Sequence, residues 1–167
     1  MRARSRGTRQ VRRLGVIGGV MALMLSAGVV AAVAAPAPPA APLVPGTPCT
    51  VTARACVDLI ALKAWLVQDG RILRGPVPVS IGDEYDPTPP GRYQVEWKAK
   101  DWVSREYGSP MPYSVFFAPG GIAFHEGSLQ TSSAGCVRLT RDNAIAFFDY
   151  LQVGDEVQVH SDVPAGG

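Results

Sequence analysis

His125 and Cys136 are the two residues in this chain whose types and spacing suit covalent acyl transfer. They lie in residues 122–139, IAFHEGSLQTSSAGCVRL, and the ten residues between them are mostly small or hydroxyl-bearing. A thiolate is the attacking form of cysteine, and the free thiol has a pKa near ~8.5, so a base or a positive field has to activate it. His125 supplies one candidate base, and a helix N-terminus close behind Cys136 would supply a field. Gly135 lets the chain turn tightly before the nucleophile, so that the N–H groups of Gly135 and Cys136 can face a developing oxyanion. Arg138 has the fork that binds a substrate carboxylate, and Ser133 is placed to bond substrate or brace the loop. Each residue also has a blander use. Cys136 can be a small buried hydrophobe, His125 a hydrogen-bonded strand-end residue, and Arg138 an ion-pair partner of Asp142. His160, the other histidine, follows an alternating stretch close to a frayed end and reads as structural or solvated.

These residues need a frame. Apolar runs flank Asp69-Gly70, the strongest short-range hairpin signal, with strands at 64–68 and 71–74. Pro76 and Pro78 then permit only an edge or irregular passage. A polar, proline-rich loop runs from Asp83 to Gly91, and 92–98 alternates as a strand should. Residues 106–112 read as another loop. Strands follow at 113–117 and 122–125, with a turn at Pro119-Gly120-Gly121 between them. His125 therefore ends a strand, a rigid place from which to present a ring. Residues 140–151 form the one clear helix, with Thr140 as cap, Asp142 in the first turn and an apolar face of Ala144, Ile145, Phe147, Phe148 and Leu151. Residues 155–160 alternate as a closing strand, and 162–167 read as a disordered tail. Many short strands with one helix point to a mostly β, sandwich- or barrel-like domain.

The chain opens with six arginines in thirteen residues, and an uncharged apolar stretch then runs to residue 35. A basic n-region, an apolar h-region and a small-residue ending predict an export signal over 1–35, with an uncleaved membrane anchor as the alternative. Residues 36–48 are Pro- and Ala-rich and predict an extended spacer ahead of a domain over 49–161. Beyond residue 36 there are ten Lys and Arg against fourteen Asp and Glu, a net of −4. That balance offers no basic face for nucleic acid. Any membrane attachment runs through the N-terminal segment alone. Cys49 and Cys56 are seven apart and, in an exported chain, predict a disulfide over two buried thiols. No further Cys/His pair completes a zinc site, so neither a metal nor a cofactor is expected. Cys136 is left as the odd, reactive cysteine.

Several segments together resemble one family. SSAGCVRL resembles the [ST]-His-Gly-Cys-x-[RN] signature of the YkuD-type L,D-transpeptidases. DPTPPGRYQV is similar to their Thr-Pro-x-Gly-x-[FY] segment, MPYSVFF to their Met-Pro-Tyr strand, and GIAFHEG to their [IV]-x-[IV]-His-Gly segment. The likeness runs from about Cys56 to His160. It implies a mostly β domain with one helix after the cysteine, acting on peptidoglycan. Cys136 would attack the tetrapeptide stem after its third residue, release the terminal D-alanine and hold the stem as a thioester. An amine of a neighbouring stem would resolve that thioester into a 3→3 cross-link. The resemblance makes His125 the base, Glu126 the residue whose carbonyl orients it, and Gly135 and Cys136 the oxyanion donors. It sets Arg138 against a substrate carboxylate and Tyr113 along the cleft, and it implies inhibition by carbapenem-type β-lactams. Two positions depart from the pattern. Ala134 stands where the signature has histidine. Glu126 stands where it has Gly or Ser, and a carboxylate beside the imidazole would raise the His125 pKa. Hydrolysis of the same thioester, as an L,D-carboxypeptidase, and a non-catalytic wall-binding module are the competing expectations.

Overall fold

A computed structural model describes residues 40–161. The expected leader, the first residues of the spacer and the tail at 162–167 lie outside them. Among the described residues the chain forms nine strands and one helix. In order these are β1 (Ala55–Asp58), β2 (Lys63–Gln68), β3 (Arg71–Pro78), β4 (Gly91–Gln94), β5 (Trp97–Val103), β6 (Pro110–Ala118), β7 (Ile122–Glu126), β8 (Val137–Leu139), α1 (Arg141–Tyr150) and β9 (Glu156–His160).

The strands make two sheets. One has the order β3-β2-β1-β9-β4 and the other β5-β6-β7-β8. Most neighbours are antiparallel, but β1 with β9 and β7 with β8 run parallel. The Asp69-Gly70 hairpin forms as its sequence predicts. Both turn residues have positive φ, 50° and 70°, which the tight right-twisted turn requires and which Asp and Gly tolerate. Pro76 and Pro78 fall in β3, an edge strand, where a missing N–H removes no central ladder bond.

Side chains alternate across each strand, so each sheet has two faces. The inner faces share one core. It includes Ala55, Val57, Leu66 and Val159 of the first sheet, Val115, Phe117, Phe124, Val137 and Leu139 of the second, and Ala144, Phe147 and Leu151 from α1 and its end. Phe124 meets Phe117 and Phe147 with ring centroids at 4.7 and 5.1 Å. The outer face of the first sheet is covered by Val44, Cys49, Ala53 and Trp65 around the Cys49–Cys56 disulfide, whose Cα atoms are 5.8 Å apart. The outer face of the second sheet carries Met111, Phe116 and Ala123, with Trp102 and Cys136 against them.

Several expectations need correction. The single strand at 92–98 is two strands in different sheets: the chain leaves β4, buries Val95, and enters β5 at Trp97. β6 starts at Pro110, inside the expected loop, and pairs Pro110 to Val103. The residues just before Cys49 are not an extended spacer. Val44 is buried, the Val51 N–H donates to the Pro42 carbonyl, and Leu43 bridges to Thr50. Helix α1 matches the expected 140–151 within a residue at each end, but the Thr140 hydroxyl does not cap a backbone N–H and instead accepts from Asn143 Nδ2 at 2.9 Å. His160 is not frayed, because it pairs with Asp58 and its carbonyl accepts from the Leu59 N–H.

Candidate active site

The candidate site sits on the outer face of the second sheet, and strand register builds it. In β7, Ile122 and Phe124 point into the core, so Ala123 and His125 point outward. β8 lies parallel beside it with Phe124 opposite Val137 and His125 opposite Arg138. The imidazole and the guanidinium are thus neighbours on the outer face, and Cys136 enters one residue before the strand. All three line one cleft of about 660 Å³, together with Trp97, Trp102, Phe116, Tyr107, Gly135 and Pro87.

His125 is 5% exposed. Its Nδ1 lies 2.7 Å from the Glu126 carbonyl. A carbonyl only accepts, so Nδ1 carries the proton and Nε2 holds the lone pair. Burial lowers the His125 pKa below an ordinary histidine's 6.5; the Glu126 carbonyl opposes this and the Arg138 charge adds to it. Burial likewise raises the Cys136 pKa above 9.0, against smaller opposing effects of the Ala123 backbone and Arg138. The resting pair is therefore a neutral imidazole and a thiol. The thiol donates to the Gly121 carbonyl at 3.7 Å, and among the described residues no hydrogen bond joins it to His125.

The loop before Cys136 is laced to the loop at 80–90. Ser133 pairs with Gly82, and the Ser132 hydroxyl donates to Asp83. The Ser80 hydroxyl donates to the Thr131 carbonyl, and Ser80 and Arg138 exchange backbone bonds. Thr88, 3% exposed, receives the Gly82 N–H at 3.0 Å and donates to the Gly135 carbonyl at 2.7 Å. That carbonyl shares a planar peptide unit with the Cys136 N–H, so holding one aims the other the opposite way. Gly135 has φ +93°, and a Cβ there would lie 2.5 Å from Ile122, so glycine is required on both counts. The N–H groups of Gly135 and Cys136 bond to no other described residue.

The structure brings His125, Ser133, Gly135, Cys136 and Arg138 to one cleft and leaves other candidates out. Ser133 braces the loop, its hydroxyl donating to the Cys136 carbonyl. Arg138 makes no ion pair with Asp142. Its Nη1 instead donates to the Thr131 carbonyl and hydroxyl and to the Ser132 carbonyl, at 3.3, 3.2 and 3.0 Å. Tyr113 does not line the cleft: with φ +57° it leaves the regular strand and turns to the inner face, where its ring meets Phe148 at 6.0 Å. The Glu126 carbonyl reaches the imidazole, but its carboxylate pairs with Arg141 at 3.1 Å. It therefore does not raise the His125 pKa, because it faces the helix rather than the ring. Residue-by-residue reading missed Thr88, whose TPPG segment was the available signal. It also missed the aromatic wall of Trp97 and Trp102, because the strand expected to end at residue 98 continues as β5 to Val103.

Comparison with known proteins points to one family. The family model YkuD, L,D-transpeptidase catalytic domain, matches residues 52–159. L,D-transpeptidase 1 of Mycobacterium tuberculosis is 30% identical, over 55% of this chain and 44% of its own length. The chain thus spans less than half the length of the curated relatives it matches. Among solved structures, an L,D-transpeptidase from Stackebrandtia nassauensis superposes with a TM-score of 0.61 at 29% identity, covering 67% of this chain and 57% of that one. The L,D-transpeptidase LdtMt1 in complex with imipenem has a TM-score of 0.59 at 26% identity, covering 64% and 57%.

Proposed function

The chain belongs to the YkuD family of L,D-transpeptidase catalytic domains, and from that premise we propose that it is a cysteine-dependent acyltransferase that forms 3→3 cross-links between peptidoglycan stems. One observation carries the reading: a buried, neutral imidazole with its Nδ1 proton engaged shares a cleft with the chain's one free cysteine and two uncommitted N–H groups. Nε2 takes the Cys136 proton as sulfur attacks the carbonyl carbon of the donor stem. The N–H groups of Gly135 and Cys136 receive the oxyanion. The proton passes from His125 to the leaving amine, D-alanine departs, and a thioester remains. The acceptor amine then gives its proton to Nε2, attacks the thioester and restores the thiol. Arg138, fixed over the cleft floor, attracts a stem carboxylate.

The ring of a carbapenem presents the same electrophilic carbonyl, and the imipenem complex of a relative supports such a compound as probe. Intact mass after exposure to imipenem should show a single adduct, lost in Cys136→Ala and nearly lost in His125→Ala. An unreactive thiol in folded wild-type protein would leave only a wall-binding role. With disaccharide-tetrapeptide, cross-linked dimer supports transfer, and tripeptide alone would mean hydrolysis. Ala134 lines the cleft without a polar group, so Ala134→His should change the acylation rate without being needed for it. The arginine-rich, then apolar opening supports export, with action at the cell wall.

A further inference from the structure

Glu126 faces two ways. It is the last residue of β7, and its carbonyl holds the His125 ring on the cleft side of the sheet. Its carboxylate points to the other face, where Arg141 in the first turn of α1 donates to it at 3.1 Å. Arg141 is itself bracketed. Its guanidinium lies 5.5 Å from the Tyr113 ring centroid, and Nη2 donates to the Tyr113 hydroxyl at 3.4 Å. Tyr113 adopts φ +57°, a conformation that a bulky residue takes only when its surroundings dictate it. It falls where the β5–β6 register passes from Ser114 to Pro112, so a local departure from the ladder accompanies its turn toward the helix. The far side of the Glu126 peptide is held as well, since the Gly127 N–H donates to the Leu139 carbonyl at 3.0 Å. A Cβ at residue 127 would meet the Arg138 stem at 2.7 Å, so the guanidinium arm that reaches the cleft lies across this same peptide.

We propose that Glu126, Arg141 and Tyr113 form a positioning clamp on the helix side of the sheet, which fixes the Glu126 carbonyl and so keeps Nε2 of His125 free as the base. The inference rests on the acyl-transfer reading for its rate consequence, but not for its effect on the ring. The carbonyl selects a tautomer only while its direction is fixed. A strand-terminal peptide with one anchored end can still rotate, and the carboxylate–guanidinium pair anchors the other end. Arg141 and Tyr113 touch no cleft atom, so they act through His125 alone. The clamp also explains why a large acidic residue is accommodated directly after the histidine: its side chain lies away from the cleft.

Two measurements test it on Arg141→Gln and Glu126→Gln, with Arg141→Lys as the charge-retaining control. The first is nitrogen NMR of the ligand-free protein, where the Nδ1–H signal of His125 reports tautomer and exchange protection whether or not the protein is an enzyme. Both Gln variants should lose protection at Nδ1–H and gain the Nε2–H tautomer, and Arg141→Lys should recover part of it. The second is imipenem acylation. The maximal rate should fall on the order of tenfold, as small misplacements of reacting groups do, with half-saturation unchanged because the clamp touches no ligand. Wild-type protection and tautomer in both Gln variants would overturn the clamp and leave an ordinary surface ion pair. An altered ring signal in a protein whose wild type never acylates would uphold the clamp and overturn the acyl-transfer reading instead.

Discussion

At the scale of single residues, burial sets the chemistry of the pair. Water exclusion disfavours imidazolium and thiolate alike, so His125 and Cys136 both rest neutral, and under the proposed mechanism charge appears only during attack. The base therefore stays competent in acid solution. Acylation should hold its rate as pH falls through 6.5, the ordinary histidine value, and decline only below it. The same shifts act on stability. Between the lowered folded pKa of His125 and 6.5, the unfolded chain binds more protons than the folded one, so stability drops as pH falls through that window. Above 9.0 the folded chain keeps the Cys136 proton that the unfolded chain releases, so stability drops as pH rises. The melting temperature should be highest between these limits, and Cys136→Ala should flatten the alkaline flank. An acid limb of acylation at or above 6.5 would show that burial does not govern the ring.

At the scale of elements, the site is two loops tied across the mouth of a parallel strand pair. Thr88 is the tie that bears on chemistry, because it orients the peptide whose N–H faces the cleft. Thr88→Val keeps the shape but leaves the Gly135 carbonyl and the Gly82 N–H without their buried partner, a loss of about 1–3 kcal/mol. Acylation should slow by roughly ten- to a hundredfold, less than deletion of an oxyanion donor costs. A stopped-flow trace with imipenem measures it, and an unchanged rate would mean that the Cys136 N–H is aimed by other contacts. This layer was half legible in the sequence. Turn chemistry at Asp69-Gly70, the 3.6-residue period of α1 and the alternation of β9 are local signals, and they predicted their elements. The break at Val95-Glu96 is not local, because the chain changes sheets without a glycine or a long loop to announce it. β8 is only three residues long, too short to show a period, and it pairs with a strand reached through a long loop. Tyr113 was misplaced for a related reason, since which face it takes depends on a conformation that only packing imposes. Cys136, His125 and Gly135 stand out in the sequence by residue type alone, and the structure sets all three on one cleft.

For the whole molecule, the two outer faces have separate work. The cleft opens on one. On the other, the Cys49–Cys56 disulfide and Gln158, which is fully buried, hold the segment before β1. The Gln158 side chain accepts from the Thr50 N–H at 2.9 Å and donates to the Thr50 hydroxyl at 2.7 Å. Removing the disulfide as Cys49→Ala with Cys56→Ala should cost about 2–3 kcal/mol by loop entropy. Melting temperature should fall while imipenem acylation at room temperature keeps its rate, since the core lies between the two faces. A matching loss of rate would mean that the faces are coupled.

The order of the first sheet has a further consequence, for how the domain comes into being. β9 lies between β1 and β4, so the last of the described strands fills an interior place in the sheet rather than its rim. Until it arrives, β1 and β4 have no neighbour on that side, and the core residues Val157 and Val159 are missing from between them. Such long-range closure is slow and is delayed until synthesis has reached the last strand. The first sheet of such a chain stays unfinished until β9 is made, and it closes in one late step when that strand inserts between β1 and β4.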